Sequence, residues 1–341
     1  MISIIIPCYD SYQNLLESLR VLFSEENKNV DYEVLVIDDN SSEDLSKLTQ
    51  KFPKLRYHKN KENVGPAETR NVGINHAKGD VYLFIDSDVI ISPNILEKVE
   101  NFFKQPENMA LVGNVSLDNL GKKFIVDFLT LQVHFNFNSC KSKYFTTLNT
   151  EFGAVRKEVI EKVGIFNPKY KQADVEDFEL GVRINKHYNI RLDNSINIIH
   201  NFETNIRKSL YKTLRRSFFW MEILLSKKKF ENAQVTRKRA LSALTSFIFI
   251  NTLFVYFIFN GIYNNIYLLR ENYNPLNSFF IFVLMFSFFL YLFLESKFIV
   301  FLEKKNGLIF MFKGLIYNLF SLYCIGLGSL FGLIYYSIIS R

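Results

Sequence analysis

The strongest constraint on this chain lies in its last third, where charge almost disappears. Ser242–Tyr263, Leu276–Leu294 and Gly314–Ser340 contain no Asp, Glu, Lys or Arg. A soluble helix must turn one face to water, whereas a hydrocarbon core about 30 Å thick needs roughly 20 apolar residues of helix. The three stretches are therefore expected to be transmembrane helices, with the middle one shallow or tilted because Glu295 and Lys297 close it early. Up to about Asn205 the apolar residues instead come in short runs between charges. The expected organisation is a soluble α/β domain over 1–205, a basic segment over 206–240 and a membrane region over 241–341.

The formal net charge of +7 would suit nucleic acid if it were spread over a surface, but it is local. Eleven Lys and Arg from Arg207 to Arg239 face only Glu222 and Glu231, a balance of +9 that leaves −2 for everything else. Basic residues beside a membrane span favour anionic lipid and a cytoplasmic position, so the reading is a membrane partner and no nucleic acid. The same rule places Lys297, Lys304 and Lys305 inside, the loop around Arg270 and Glu271 outside, and the C-terminus outside. Ile206, Leu210, Leu214, Phe218, Met221 and Leu225 recur at helical spacing, which predicts an amphipathic helix in the membrane interface. Gly328 and Gly332 form a Gly-X-X-X-Gly that allows close helix packing, including that of a homo-oligomer.

Met1 leads directly into Ile2-Ser3-Ile4-Ile5-Ile6-Pro7 without a basic, signal-like start. Cys8, Cys140 and Cys324 are too scattered for a disulfide framework or zinc site. Both facts fit a first domain in the reducing cytosol, attached to a multi-pass anchor in the cell membrane.

In the first domain, strands are expected at Ser3–Ile6, Tyr32–Ile37, Leu55–His58 and Asp80–Ile85. Helices are expected near Asn14–Ser24, Leu45–Lys51 and Pro66–Lys78, and from a Ser92-Pro93 cap to about Lys104, with Pro66 opening its helix and Gly79 closing it. This alternation indicates a parallel sheet, whose ligands bind beyond the carboxyl ends of its strands. Polar residues stand at those ends: Pro7-Cys8-Tyr9-Asp10, Asp38-Asp39-Asn40-Ser41 and Asp86-Ser87-Asp88.

Asp38 and Asp39 follow the apolar run Val34–Ile37, so their carboxylates serve either a base or ribose ligand or the start of the next helix. Asp86 and Asp88, two residues apart, project to one side and suit a hard Mg²⁺ or Mn²⁺ that would also hold a diphosphate. Arg70 could reach that diphosphate, brace the carboxylates, or lie solvated on its helix.

Ser3-Ile-Ile-Ile-Pro-Cys-Tyr-Asp10, Val34-Leu-Val-Ile-Asp-Asp-Asn-Ser-Ser42, the Asn63–Gly73 run and Phe84-Ile-Asp-Ser-Asp88 resemble, in order and spacing, the successive blocks of the family 2 glycosyltransferases with the GT-A fold. The resemblance covers about residues 1–205 and implies a Rossmann-like nucleotide-diphospho-sugar transferase domain. It places Pro7, Tyr9 and Asp10 near the nucleotide and Asp38 or Asp39 at the base. Asp86 and Asp88 become the metal-binding Asp-X-Asp element. Thr69-Arg70-Asn71 stands where the family has Ala-Arg-Asn, a departure that spares the Arg. Asp174-Val-Glu-Asp177 resembles the family's Glu-Asp block, making Asp177 the general base with Glu176 beside it, and Arg183 is expected to pair with Glu179. His200 resembles a late His that contacts metal or phosphate.

The family is associated with inversion at the anomeric carbon. Arg215-Arg216-Ser-Phe-Phe-Trp220 lacks the Gln-X-X-Arg-Trp arrangement of processive synthases, which points to single transfer from a nucleotide-diphosphate sugar onto a lipid-linked or glycan acceptor. The alternatives are an inactive sugar-nucleotide-binding scaffold and a nucleotidyltransferase, the latter disfavoured because Pro7–Tyr12 lacks glycine.

Overall fold

The computed structural model describes the chain apart from residues 93, 119, 122, 141, 203, 228–235, 267–274 and 340–341. It contains two compact units, Met1–Thr204 and the helices that follow from Asn205. Pro93, Lys228, Lys229, Glu231, Arg270 and Glu271, which entered the expectations above, lie outside the described residues.

The first half of unit one alternates as expected. Its elements are β1 (Ile2–Cys8), α1 (Tyr12–Leu22), β2 (Tyr32–Asp38), α2 (Leu48–Lys51), β3 (Leu55–Lys59), α3 (Pro66–His76) and β4 (Val81–Ile85). The strands are parallel in the order β3-β2-β1-β4. Side chains alternate between two cores, as a pleated strand requires: Ile4, Ile6, Val34, Leu83 and Ile85 on one face, Ile5, Tyr82 and Phe84 on the other.

The second half departs from a purely parallel sheet. It comprises β5 (Val89–Ile91), α4 (Ile95–Phe103), β6 (Ala110–Val115), α5 (Phe124–Asn138), β7 (Tyr144–Phe145), β8 (Phe152–Arg156), α6 (Lys157–Val163), α7 (Glu176–Ile184) and β9 (Ile190–His200). β8 runs antiparallel to β4, and the sheet continues through β6 and β9 to β5. The chain reverses direction across the sheet at β1 and β4, the position where open α/β sheets form a ligand crevice. Pairing between these strands stops at Ile5 and Phe84, so Pro7, which has no N–H to donate, falls beyond the last pair.

Two local expectations need correction. α3 ends at His76 with Ala77 as its cap. Gly79 instead admits the start of β1, since a Cβ there would lie 2.6 Å from the Met1 carbonyl oxygen. Ser92 does not cap α4; its hydroxyl donates to the Asn197 carbonyl, and Asn94, at φ 61°, precedes the helix.

Unit two contains α8 (Ile206–Lys227), α9 (Arg237–Ile266) and α10 (Pro275–Ile339). Among the described residues, α9 and α10 are the helices long and apolar enough to cross a membrane. A straight helix of the 65 residues of α10 would be about 98 Å long, but Gly307 leaves helical geometry at φ 81°, ψ 175° and divides it into two arms. The arms meet: the Tyr291 hydroxyl donates to the Leu315 carbonyl, and Asn318 Nδ2 donates to Glu295. The expected second and third spans are thus arms of one broken helix, and Lys297, Lys304 and Lys305 are helical rather than in a loop.

The Gly-X-X-X-Gly packs within the chain. A Cβ on Gly328 would lie 2.2 Å from the Leu214 carbonyl oxygen, and one on Gly332 2.5 Å from that of Phe218. These glycines admit the backbone of α8. Unit two also buries polar groups, including Ser242, Thr245, Ser246, Ser287 and Asn318, while Phe257, Phe282, Phe293, Ile309 and Ile338 are each more than half exposed. Gly328→Val should therefore displace α8 and expose Trp220, the chain's one tryptophan, now buried. The check is a red shift in its fluorescence in detergent; unchanged emission would contradict the packing.

Candidate active site

The three polar strand ends meet at the carboxyl edge of β1, β2 and β4. Asp10 and Asn40 adopt left-handed backbone conformations at φ 48° and 65°, which Asp and Asn tolerate better than most residues. Asp10 Oδ1 accepts from the backbone N–H and hydroxyl of Ser42, while the Asp10 N–H donates to Ser41 Oγ. These bonds join the loops after β1 and β2 and hold the Asp10 carboxyl below its usual range. Tyr9 is 55 % exposed beside them. Burial pushes the Cys8 thiol up to about 12, so it is an inert core group rather than a nucleophile.

Asp38 and Asp39 both face inward. Asp38 accepts from Tyr57 OH at 2.6 Å and from the Ser41 N–H at 2.7 Å. Asp39 accepts from Asn60 Nδ2 and from the N–H groups of Val64 and Gly65, each at 2.9 Å. Asp39 thereby fixes the turn into α3. Gly65 at the head of that helix has φ 89°, and a Cβ on it would lie 2.2 Å from the Lys171 carbonyl oxygen.

α3 carries the central contact. Arg70, 3 % exposed, donates from Nη2 to Asp86 Oδ1 at 2.7 Å and from Nη1 to Glu176 Oε1 at 3.0 Å. Its guanidinium also lies over the Phe166 ring, whose backbone is held from both sides by Asn71. Of the three positions open to Arg70, the structure takes the brace between carboxylates. Burial works against the Arg70 charge, and Asp86 and Glu176 more than restore it. Burial raises the Asp86 carboxyl, Arg70 opposes that and Asp88 adds to it, with a net upward shift.

Glu176 and Asp177 open α7, where Asp174 N–H donates to Glu176 and Phe178 N–H donates to Asp177. Arg183 pairs with Glu179 Oε1 at 2.8 Å, as its spacing predicts. His200 reaches the site through strand register: it pairs with Val89, and Asn201 N–H donates to the Asp88 carbonyl. Its Nε2 lies 3.4 Å from Asp88 Oδ2 and its Nδ1 3.3 Å from Glu151 Oε2. The Glu151 contact is within ion-pair reach but poorly aligned as a hydrogen bond, and the buried Nδ1 has no other partner of that kind. Glu151 was missed in the sequence because it belongs to none of the recognisable blocks; it immediately precedes β8.

Asp86, Asp88, Arg70, Glu176 and His200 therefore converge, with Asp177 next in the chain, while Asp38 and Asp39 are enclosed nearby. Residues 3–164 match the family model described as Glycosyl transferase family 2. This chain carries a family 2 glycosyltransferase domain.

The chain is 25 % identical over 225 residues to the poly(ribitol-phosphate) beta-N-acetylglucosaminyltransferase TarP of Staphylococcus aureus, covering 64 % of this chain and 68 % of that one. An uncharacterized glycosyltransferase of Rickettsia felis is 34 % identical over 125 residues, 36 % of this chain but only 20 % of that protein's length. The mannosyltransferase PcManGT from Pyrobaculum calidifontis, solved in complex with GDP-Man and Mn²⁺, superposes with a TM-score of 0.51 at 17 % identity. That match covers 66 % of this chain and 63 % of the other, and supports the GT-A fold.

Burial alone would lower the His200 pKa from 6.5, but Asp88 and Glu151 outweigh it and push the pKa up to about 10. A pKa raised on folding gives stability that is full below the unfolded value and is lost as pH rises through the folded one. The metal-free wild type should thus lose more stability between pH 6.5 and 10 than His200→Gln does. Urea unfolding across that range measures it; parallel pH profiles would contradict the double pairing.

Proposed function

We propose that the chain transfers a sugar from a nucleoside-diphosphate sugar to an acceptor at the membrane, using a divalent cation and inverting the anomeric carbon. The observation that carries this reading is the convergence of Asp86, Asp88 and His200 on one side of Arg70 and of Glu176 and Asp177 on the other, at the crevice between β1 and β4.

The residues fit Mg²⁺ or Mn²⁺. Among the described residues no three side chains form a ready-made metal cage, and a donor set of few protein ligands suits an ion that shares substrate phosphate oxygens. Asp86, Asp88, Glu151, Glu176 and Asp177 are five carboxylates against the cations Arg70 and His200, an excess of negative charge that favours a cation. Asp88 and His200 Nε2 would hold it, with Asp86 Oδ1 committed to Arg70. When bound, the ion supplies charge stabilisation to the departing diphosphate.

Tyr9, Pro7 and Asp10 are assigned to the nucleotide, with Asp38 and Asp39 shaping the base pocket from behind. Arg70 and Glu176 keep the donor side and the base in register. The acceptor hydroxyl oxygen bonds to the anomeric carbon as the bond from that carbon to the diphosphate oxygen breaks. Asp177 accepts the hydroxyl proton, and the electron pair leaves with the nucleoside diphosphate. Attack from the face opposite the leaving group inverts the centre and requires no covalent sugar intermediate.

The membrane part of the proposal rests on the inverted character of unit two, with serines and Asn318 inside and phenylalanines outside. Lipid, not water, is the solvent that favours such a distribution. The basic residues of α8 and the start of α9 then mark the cytoplasmic side, and a lipid-linked acceptor follows from anchoring there. The detergent-solubilised chain should release nucleoside diphosphate from one member of a UDP- and GDP-sugar panel only with Mn²⁺ or Mg²⁺ and a membrane lipid extract. Asp88→Ala and Asp177→Asn should each lower the rate by about 100-fold or more; undiminished turnover in either variant would overturn the assigned roles.

A further inference from the structure

We infer that Glu151 is a positioning residue for His200, fixing the imidazole so that Nε2 serves the cation shared with Asp88. The inference rests on the metal-dependent reading of the site and adds to it a residue that touches neither substrate nor ion.

Strand pairing creates the arrangement. β8 pairs antiparallel with β4 starting at Phe152 and Ile85, so Glu151 and Asp86 leave the sheet together at one edge. β9 pairs with β5 so that His200 stands opposite Val89, directly after Asp88. The ring thus lies between two carboxylates, Asp88 Oδ2 at 3.4 Å from Nε2 and Glu151 Oε2 at 3.3 Å from Nδ1. Phe202 packs against it with ring centroids 4.0 Å apart and planes 34° from parallel. Only 11 % of the His200 side chain is exposed.

An imidazole that ligates through one nitrogen needs its other N–H held, which fixes both tautomer and ring direction and makes the ligating nitrogen a better donor. Glu151 is placed on the Nδ1 side, while the Asp88 side is the one that shares the proposed ion. Phe202 restricts the tilt of the ring but offers no acceptor for Nδ1. Exchanging the Glu151 carboxylate for an amide therefore leaves the ring in place but replaces a charged group that can only accept with a neutral one that can also donate, so the tautomer with Nε2 free to ligate is no longer selected.

The test is a Mn²⁺ titration of the full detergent-solubilised chain, without nucleotide, following free Mn²⁺ by electron paramagnetic resonance. Glu151→Gln should weaken binding about 10- to 100-fold, and His200→Ala should weaken it at least as much. The double variant should bind like His200→Ala alone, because Glu151 acts only through the ring. Wild-type affinity in Glu151→Gln, or multiplied losses in the double variant, would overturn the positioning role while leaving metal dependence intact. Sugar transfer by a wild-type protein that binds no Mn²⁺ or Mg²⁺ would overturn the inference and the metal-dependent reading together.

Discussion

The arrangement of the site depends on one buried guanidinium. Arg70 is almost sealed from solvent and must have its charge answered, since an unpaired ion at that depth would cost several kcal/mol. It is answered twice, by Asp86 after β4 and by Glu176 at the head of α7. The planar fork of arginine allows that two-sided contact; a lysine in its place would offer a single ammonium on a flexible stem. Through it, the loop carrying Asp86 and Asp88 and the helix carrying Asp177 hold one geometry. α3 strengthens the brace at three further points: Gly65 against Lys171, Asn71 against Phe166, and Thr69 hydrogen-bonded to Asn60. Glu151 and His200 extend the same pattern of paired charges away from Arg70, so the site is built from ion pairs rather than isolated carboxylates.

Much of this was legible in the sequence where the signal is local. Apolar runs ending in Asp10, Asp38-Asp39 and Asp86 marked the carboxyl ends of parallel strands, and Pro66 marked the start of α3. The link between Arg183 and Glu179 followed from helical spacing. What was not legible depends on register and approach. Nothing in the sequence near Glu151 announces a partner for His200, because the contact exists only through the antiparallel pairing of β8 and of β9. Asp38 and Asp39 looked available at a strand end, yet the structure bonds them to Tyr57, Asn60 and the turn before α3.

The helical unit teaches the same distinction. Hydropathy located the apolar stretches but not the break at Gly307 that folds two of them together. Gly328 and Gly332 suggested close packing without naming the partner, and α8 of the same chain occupies that face. The buried Ser242 and Asn318 both hydrogen-bond to Glu295, which explains how a carboxylate is accommodated where one arm of α10 meets α9. Such pairing is what an ionisable group in an apolar surrounding requires.

Arg70 joins Asp86 and Glu176 into one unit. A double-mutant cycle tests it: unfolding free energies of the first unit, read from hydrogen exchange of α3 and β4 amides in urea, for Asp86→Asn, Glu176→Gln and the pair. Groups sharing a buried partner should couple by about 1–3 kcal/mol. Losses that add to within about 0.5 kcal/mol would show that the two carboxylates act independently and would contradict the account.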